Sequence, residues 1–220
     1  MTAGNPGPVV PQRYVQALGG LDPIESMRRA PKRIKKLLKG VPQKRLAKRP
    51  AEGKWSIKEV LAHLADGEVV LGSRYRMVAA MDRPQIVGYD QDAFVERLCV
   101  DQACTEDLLK DFSAVRKANV RLLERLPPEA LARIGLHTER GEESLADMLV
   151  MYAGHDRVHE QQIARALAEI AAASRKRTKR SGKRRAQRAE PAAKPRQERP
   201  EPAPPQVEVP AAEPEATPVG

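Results

Sequence analysis

The sequence predicts an all-α protein, a four-helix bundle followed by a basic, proline-rich tail that does not fold. Three observations carry this prediction. Apolar residues recur at helical spacing in four separate stretches, and no stretch alternates long enough to make a substantial strand. Aromatic residues make up only 3% of the 220 residues against 41% apolar, so the core must be aliphatic rather than the aromatic-rich interior of a β-sandwich. Finally, composition changes abruptly after Ala173.

The first 20 residues contain no stripe and read as a flexible N-terminus. They lack a basic stretch followed by an apolar one, so no signal peptide is expected, and no run is long enough to span a membrane. The first helix opens at Asp22-Pro23, with Ile24, Met27, Ile34, Leu37, Leu38 and Val41 on one side. Pro31 is expected to kink or restart it. Its outer face is strongly basic, from Arg28 to Lys39.

The second helix has a sharp start. Ser56 and Glu59 form an S-x-x-E capping box, which satisfies amide donors at the helix end. The stripe Ile57, Val60, Leu61, Leu64, Leu71, Tyr75, Val78 carries the helix to about Met81. The third runs over about 105–126 on Leu108, Leu109, Phe112, Val115, Val120, Leu122, Leu123 and Leu126, and Pro127-Pro128 ends it. The fourth starts at a second capping box, Ser144 with Asp147, and reaches about Ala172. The link between helices two and three, 82–104, is long enough to return along a helix of ~37 Å, so these two helices can run parallel through a crossover.

Residues 21–173 are thus one helical domain, and 174–220 form the tail. The whole chain carries a net charge of +10. The tail has 12 basic and 6 acidic residues, which leaves +4 for the rest. Its 175–188 portion, RKRTKRSGKRRAQR, suits weak, sequence-independent contact with nucleic-acid phosphates. It lacks interleaved aromatics for base stacking, so a solubilising role is the favoured reading. The two cysteines, Cys99 and Cys104, are spaced neither as a redox motif nor as a disulfide framework, and read as reduced thiols of a cytoplasmic protein.

The candidate chemistry lies in Y-A-G-H-D-R-V-H-E-Q-Q-I, residues 152–163. His155 and His159 continue the stripe Leu145, Met148, Leu149, Tyr152 and face the bundle interior, stacked one turn apart. Two imidazoles so placed can converge on one cation. His63, flanking the stripe of the second helix, can complete a three-nitrogen metal site with an open coordination position. Core histidines satisfied by hydrogen bonds are the plainer alternative. Nothing in the donor set selects among Zn, Ni, Fe and Mn. Glu68 sits between Leu64 and Leu71, where a carboxylate needs a partner such as Arg74 or Arg76. Asp156 reads as solvated or, alternatively, as a group that orients a ligand, and His137 as structural or surface.

The stretches W-S-I-K-E-V-L-A-H-L-A-D-G-E (55–68), R-Y-R (74–76), G-Y-D-Q-D (88–92) and G-H-D-R-V-H-E-Q-Q-I (154–163) resemble the DinB/YfiT-like superfamily, over about residues 20–170. The resemblance implies an up-down-down-up bundle and a metal held by His63, His155 and His159. It also implies transfer or isomerisation assisted by a low-molecular-weight thiol, and a homodimer; the same open metal site could instead activate water for hydrolysis. Glu68, Tyr89, Asp90 and Asp92 are the candidates for groups around the metal or the substrate. The opposing reading is a scaffold related to stress or DNA damage, whose basic tail binds nucleic acid.

Overall fold

The computed structural model describes residues 9–188, with side chains to Ala172. The chain divides into two units, Met1–Arg177 and Thr178–Gly220. The described residues hold seven α-helices: α1 (Gln12–Leu18), α2 (Pro23–Leu38), α3 (Gln43–Leu46), α4 (Ile57–Ala80), α5 (Gln91–Arg97), α6 (Thr105–Glu124) and α7 (Leu145–Arg188). The first six and the start of α7 belong to the first unit. Three short strands, β1 (Gln85–Ile86), β2 (Ile134–His137) and β3 (Gly141–Ser144), form a small sheet in the order β1-β2-β3.

Both expected capping boxes are made. Ser56 Oγ accepts from the Glu59 amide at 3.2 Å, and the Glu59 carboxylate takes the Ser56 amide at 2.6 Å. Ser144 and Asp147 do the same at the start of α7, at 3.0 and 3.1 Å. Asp22 caps α2 through the Glu25 amide at 2.7 Å.

Two apolar clusters give the direction of each helix. One joins Met27 of α2, Leu71, Tyr75 and Val78 of α4, Val120 and Leu123 of α6, and Leu145 to Ala153 of α7. The other joins Ala30 and Ile34 of α2, Ile57 to Ala65 of α4, Phe112 of α6 and Ile163 of α7. Thus α2 and α7 run from the first cluster to the second, while α4 and α6 run from the second to the first. This is the expected up-down-down-up order, with α4 and α6 parallel.

Three features differ from the sequence reading. The N-terminus is not loose throughout, because α1 is formed and Leu18 enters the first cluster. The crossover is not plain coil. Its β1 pairs in parallel with β2, and β2 pairs antiparallel with β3. The strands are two to four residues long, too short for an alternating pattern to declare itself. Pro31, finally, does not restart α2, which is continuous from Pro23 to Leu38. A proline lacks the N–H that would bond to the carbonyl four residues back, here that of Met27. Arg116 Nη1 of α6 donates to that Met27 oxygen at 3.0 Å and replaces the missing partner.

The helix α7 continues past the expected end near Ala172. The side chains of 173–188 and the whole of 189–220 lie outside the described residues, and with them the expected contact with nucleic acid and the expected disorder of 189–220. Among the described residues no helix is long and apolar enough to cross a membrane. Cys99 and Cys104 are free and exposed.

Candidate metal centre

Three of the four long helices place polar groups between or at the border of the two apolar clusters: His63, inside the α4 segment of the second cluster, and Glu68 on α4, Arg116 and Asn119 on α6, and His155, Asp156 and His159 on α7. They sort into two sets, one of imidazoles and one of buried charges.

The imidazole set is the one the sequence predicts. His63 Nε2 lies 3.1 Å from His155 Nε2, and His155 Nε2 lies 3.0 Å from His159 Nε2. One donor nitrogen from each of the three falls within 4.8 Å of the others. His63 is buried, and the two histidines of α7 are partly exposed, so the cluster is open on one side. The rings of His159 and His63 stand at 71° and 61° to that of His155, so none of them stacks face to face on it.

The donor chemistry fits a divalent transition ion. Ligands ~2.1 Å from an ion lie ~3.0 Å apart at right angles and ~3.4 Å apart at tetrahedral angles, so the separations match a shared ion. His159 Nδ1 lies 2.8 Å from Gln162 Oε1, an acceptor. The ring proton therefore sits on Nδ1, and Nε2 presents a lone pair. Burial pushes the His63 imidazolium down to about 3, helped by His159. Burial also lowers His155 well below the usual range, with His159 and His63 adding to it. His159 is lowered by burial too, against the pull of Gln162 and Asp156. All three rings are neutral near pH 7, as ligation requires.

Aromatic side chains wall the cluster. Trp55 packs on His63 with ring centroids 5.0 Å apart, Tyr14 of α1 meets His155 edge-on at 5.7 Å, and Tyr152 lies 6.3 Å from His155. Gly154 makes the approach of α1 possible, because a Cβ there would collide with the Tyr14 carbonyl. Tyr14 and the docking of α1 were not legible in sequence, since seven residues give no stripe.

The charged set corrects the reading of Asp156, which is not solvated but 1% exposed. Arg116, itself 2% exposed, binds it with both guanidinium nitrogens, Nη2 to Oδ1 at 3.1 Å. The partner of Glu68 is neither Arg74 nor Arg76. Arg116 Nη2 lies 2.7 Å from Glu68 Oε2, an ion pair made without a well-aligned hydrogen bond. Asn119 Nδ2 donates to Glu68 Oε1 at 2.9 Å. Burial raises the Glu68 carboxyl, with Arg116 opposing. Glu68 thus belongs to a structural network next to the histidines and not to their donor set. One signal for the network was available: Arg116 follows Phe112 by one turn on the apolar face of the third helix.

The other expected residues scatter. Asp90 caps α5 through the Ala93 amide at 2.9 Å, and Asp92 is exposed on the first turn of α5. Tyr89 packs on Phe94 at 4.8 Å and under Arg74. His137 is buried in β2, where its Nδ1 accepts from the Glu139 amide at 3.1 Å.

Fold and site together define a parallel-crossover helical bundle with a three-imidazole centre at mid-height. The chain belongs to the DinB superfamily, whose family model matches residues 26–163. It is 27% identical over 144 residues to a Bacillus mycoides (strain KBAB4) protein named "Putative metal-dependent hydrolase", covering 64% of this chain and 80% of that one. A protein of the same name from Bacillus cereus (strain 03BB102) is 28% identical over the same coverage. Among solved structures, YfiT from Bacillus subtilis superposes with a TM-score of 0.61 at 21% identity, over 66% of this chain and 86% of that one. YfiT is described as having an unusual four-helix bundle topology, and its fold is the one found here.

Proposed function

We propose that the protein is a metal-dependent hydrolase in which His63, His155 and His159 hold one divalent ion. The observation that carries this reading is the convergence of three imidazoles from two different helices, with His155 Nε2 3.1 Å from that of His63 and 3.0 Å from that of His159, and one nitrogen of each within 4.8 Å of the others. The names of the Bacillus relatives support hydrolysis over other chemistry. When bound, the ion supplies Lewis acidity and makes a water nucleophilic near neutral pH.

The rest of the work falls to the chain. Gln162 fixes the His159 tautomer, and the pairing of Asp156 with Arg116 anchors α7 immediately beside His155. Trp55 and Tyr14 cover the rings and limit solvent around them. Tyr152, raised by burial, keeps its proton at neutral pH and acts as a donor rather than a base. Three protein ligands leave coordination positions free for water and substrate.

The test is a panel of carboxylic and phosphoric esters and amides, offered to the full chain reconstituted with Zn, Ni, Fe or Mn, with and without a small thiol. Thiol-independent turnover that disappears in His155→Ala supports hydrolysis. Turnover that requires the thiol would replace hydrolysis by group transfer, and turnover that survives His155→Ala would remove the centre from the reaction.

A further inference from the structure

Arg74 is 6% exposed, yet its partners among the described residues are neutral. Nη1 donates to the Tyr152 hydroxyl at 2.9 Å, Nη2 donates to the Val87 carbonyl at 2.7 Å, and the Tyr89 ring lies 5.7 Å from the guanidinium carbon. The other buried arginine is treated differently: Arg116 sits between Glu68 and Asp156. Even the half-buried Arg140 pairs with a carboxylate, the fully buried Glu143, at 2.9 Å. A desolvated cation without an anion is costly, and it is retained where a ligand brings the missing charge.

The neighbourhood of Arg74 is unsatisfied in other ways. Tyr152 Oη receives a second N–H, from Arg140 Nη2 at 3.4 Å, and its own proton has no acceptor among the described residues. His137 Nε2 and Arg140 Nε are buried and unpartnered. The two arginines act on the same His137, which burial and their charge push down to about 4. Tyr152 joins this group to the metal centre, since its ring stands one helical turn before that of His155, 6.3 Å away.

We propose that Arg74 and Tyr152 form an oxyanion-binding subsite beside the three-histidine centre, so that the protein takes a small molecule bearing a carboxylate or phosphate group. The guanidinium supplies the charge, and the phenol, polarised by two guanidinium N–H groups, points its free O–H at the anion. The identity of the reacting bond rests on the metal-dependent reading given above, but the anion contact does not, since neither residue is a metal ligand.

Calorimetric titration of the full chain with benzoate and with phenyl phosphate, at constant ionic strength, tests this. Each titration is run metal-free and with one equivalent of zinc, and zinc content is measured separately. We expect saturable binding of one of the two in at least one metal state, and the better ligand identifies the head group. Binding should weaken roughly tenfold or more in Tyr152→Phe and in Arg74→Met, as for loss of a hydrogen bond to a charged group. Tyr152→Phe removes a single oxygen and keeps the fold, so it decides the matter if Arg74→Met melts early. Binding that is unchanged in Tyr152→Phe, or no binding of either probe by wild-type protein in both metal states, overturns the proposal. A protein that binds the anion but no zinc would contradict the metal reading and leave the subsite standing.

Discussion

Arg116 of α6 donates to the carbonyl of Met27 on α2, 89 positions away, at 3.0 Å. The acceptor is free because Pro31 cannot supply the N–H that a regular helix would place there. A residue that would ordinarily break a helix therefore becomes the point where α2 is fastened to α6. The same guanidinium reaches Asp156 on α7 and Glu68 on α4, so one side chain of α6 contacts the other three long helices.

The first prediction follows from that position. Replacing Arg116 by Met strands two buried carboxylates and one backbone carbonyl, at a cost of about 3–5 kcal/mol. Urea unfolding of Arg116→Met monitored by circular dichroism should show this loss. Combining it with Glu68→Gln and Asp156→Asn should recover part of the stability, because the uncompensated charges are gone. A loss below ~1 kcal/mol for Arg116→Met would mean that the network does not hold the bundle together.

Gly154 gives a second prediction. In Gly154→Ala the added Cβ meets the backbone of Tyr14, which cannot swing aside as a flexible side chain would. We expect α1 to detach while the bundle stays folded, with a cost of about 1–3 kcal/mol typical of overpacking. Limited proteolysis should then cut within residues 12–18 much faster than in wild type. Equal cleavage rates would show that α1 does not depend on this contact.

The pH dependence of stability follows from His63 and His137, lowered to about 3 and about 4 by burial. The unfolded chain protonates both near pH 6.5, while the folded chain does so only far lower. Below pH 6.5 the unfolded state thus binds more protons, and stability must fall as pH falls. Each group contributes up to about 1.4 kcal/mol per pH unit until its folded pKa is reached. Metal-free protein should be most stable above pH 7. His137→Gln should flatten the slope between pH 6 and 4.5, and an unchanged slope would show that His137 is not held neutral.

How far the sequence could anticipate this structure depends on the range of each interaction. The capping boxes Ser56–Glu59 and Ser144–Asp147 span three residues and declare helix starts to within one position. His155 and His159 are four apart, so their common direction follows from helical geometry alone. His63 needed the second and fourth helices to be neighbours, which no local spacing shows and which the DinB/YfiT-like resemblance implied. Asp156 was misread because its partner lies 40 positions away on another helix, and nothing local marks a carboxylate as paired. Glu68 was rightly flagged as needing a partner, but Arg74 and Arg76 were nearer in sequence than Arg116. The strands and α1 escaped because they are held by contacts with α4 and α7 rather than by any periodicity of their own.

Gln162 offers a prediction at the centre itself. Gln162→Leu removes the acceptor that keeps the His159 proton on Nδ1, so the ring can present an N–H instead of a lone pair. Loss of such an orienting partner typically costs about 10–100-fold in metal affinity. Competition titration against a chelator of known affinity should show a decrease of this order with unchanged stoichiometry. Full affinity in Gln162→Leu would mean that the tautomer is set by something else.

The convergence of the three rings is tested most directly by metal stoichiometry. Full-length protein, stripped with chelator, reloaded with zinc or nickel and desalted, should contain one ion per chain by elemental analysis. The single variants His63→Ala, His155→Ala and His159→Ala should each retain far less than one while remaining helical. Wild-type protein that takes up no ion, or variants that hold it as well as wild type, would contradict the account.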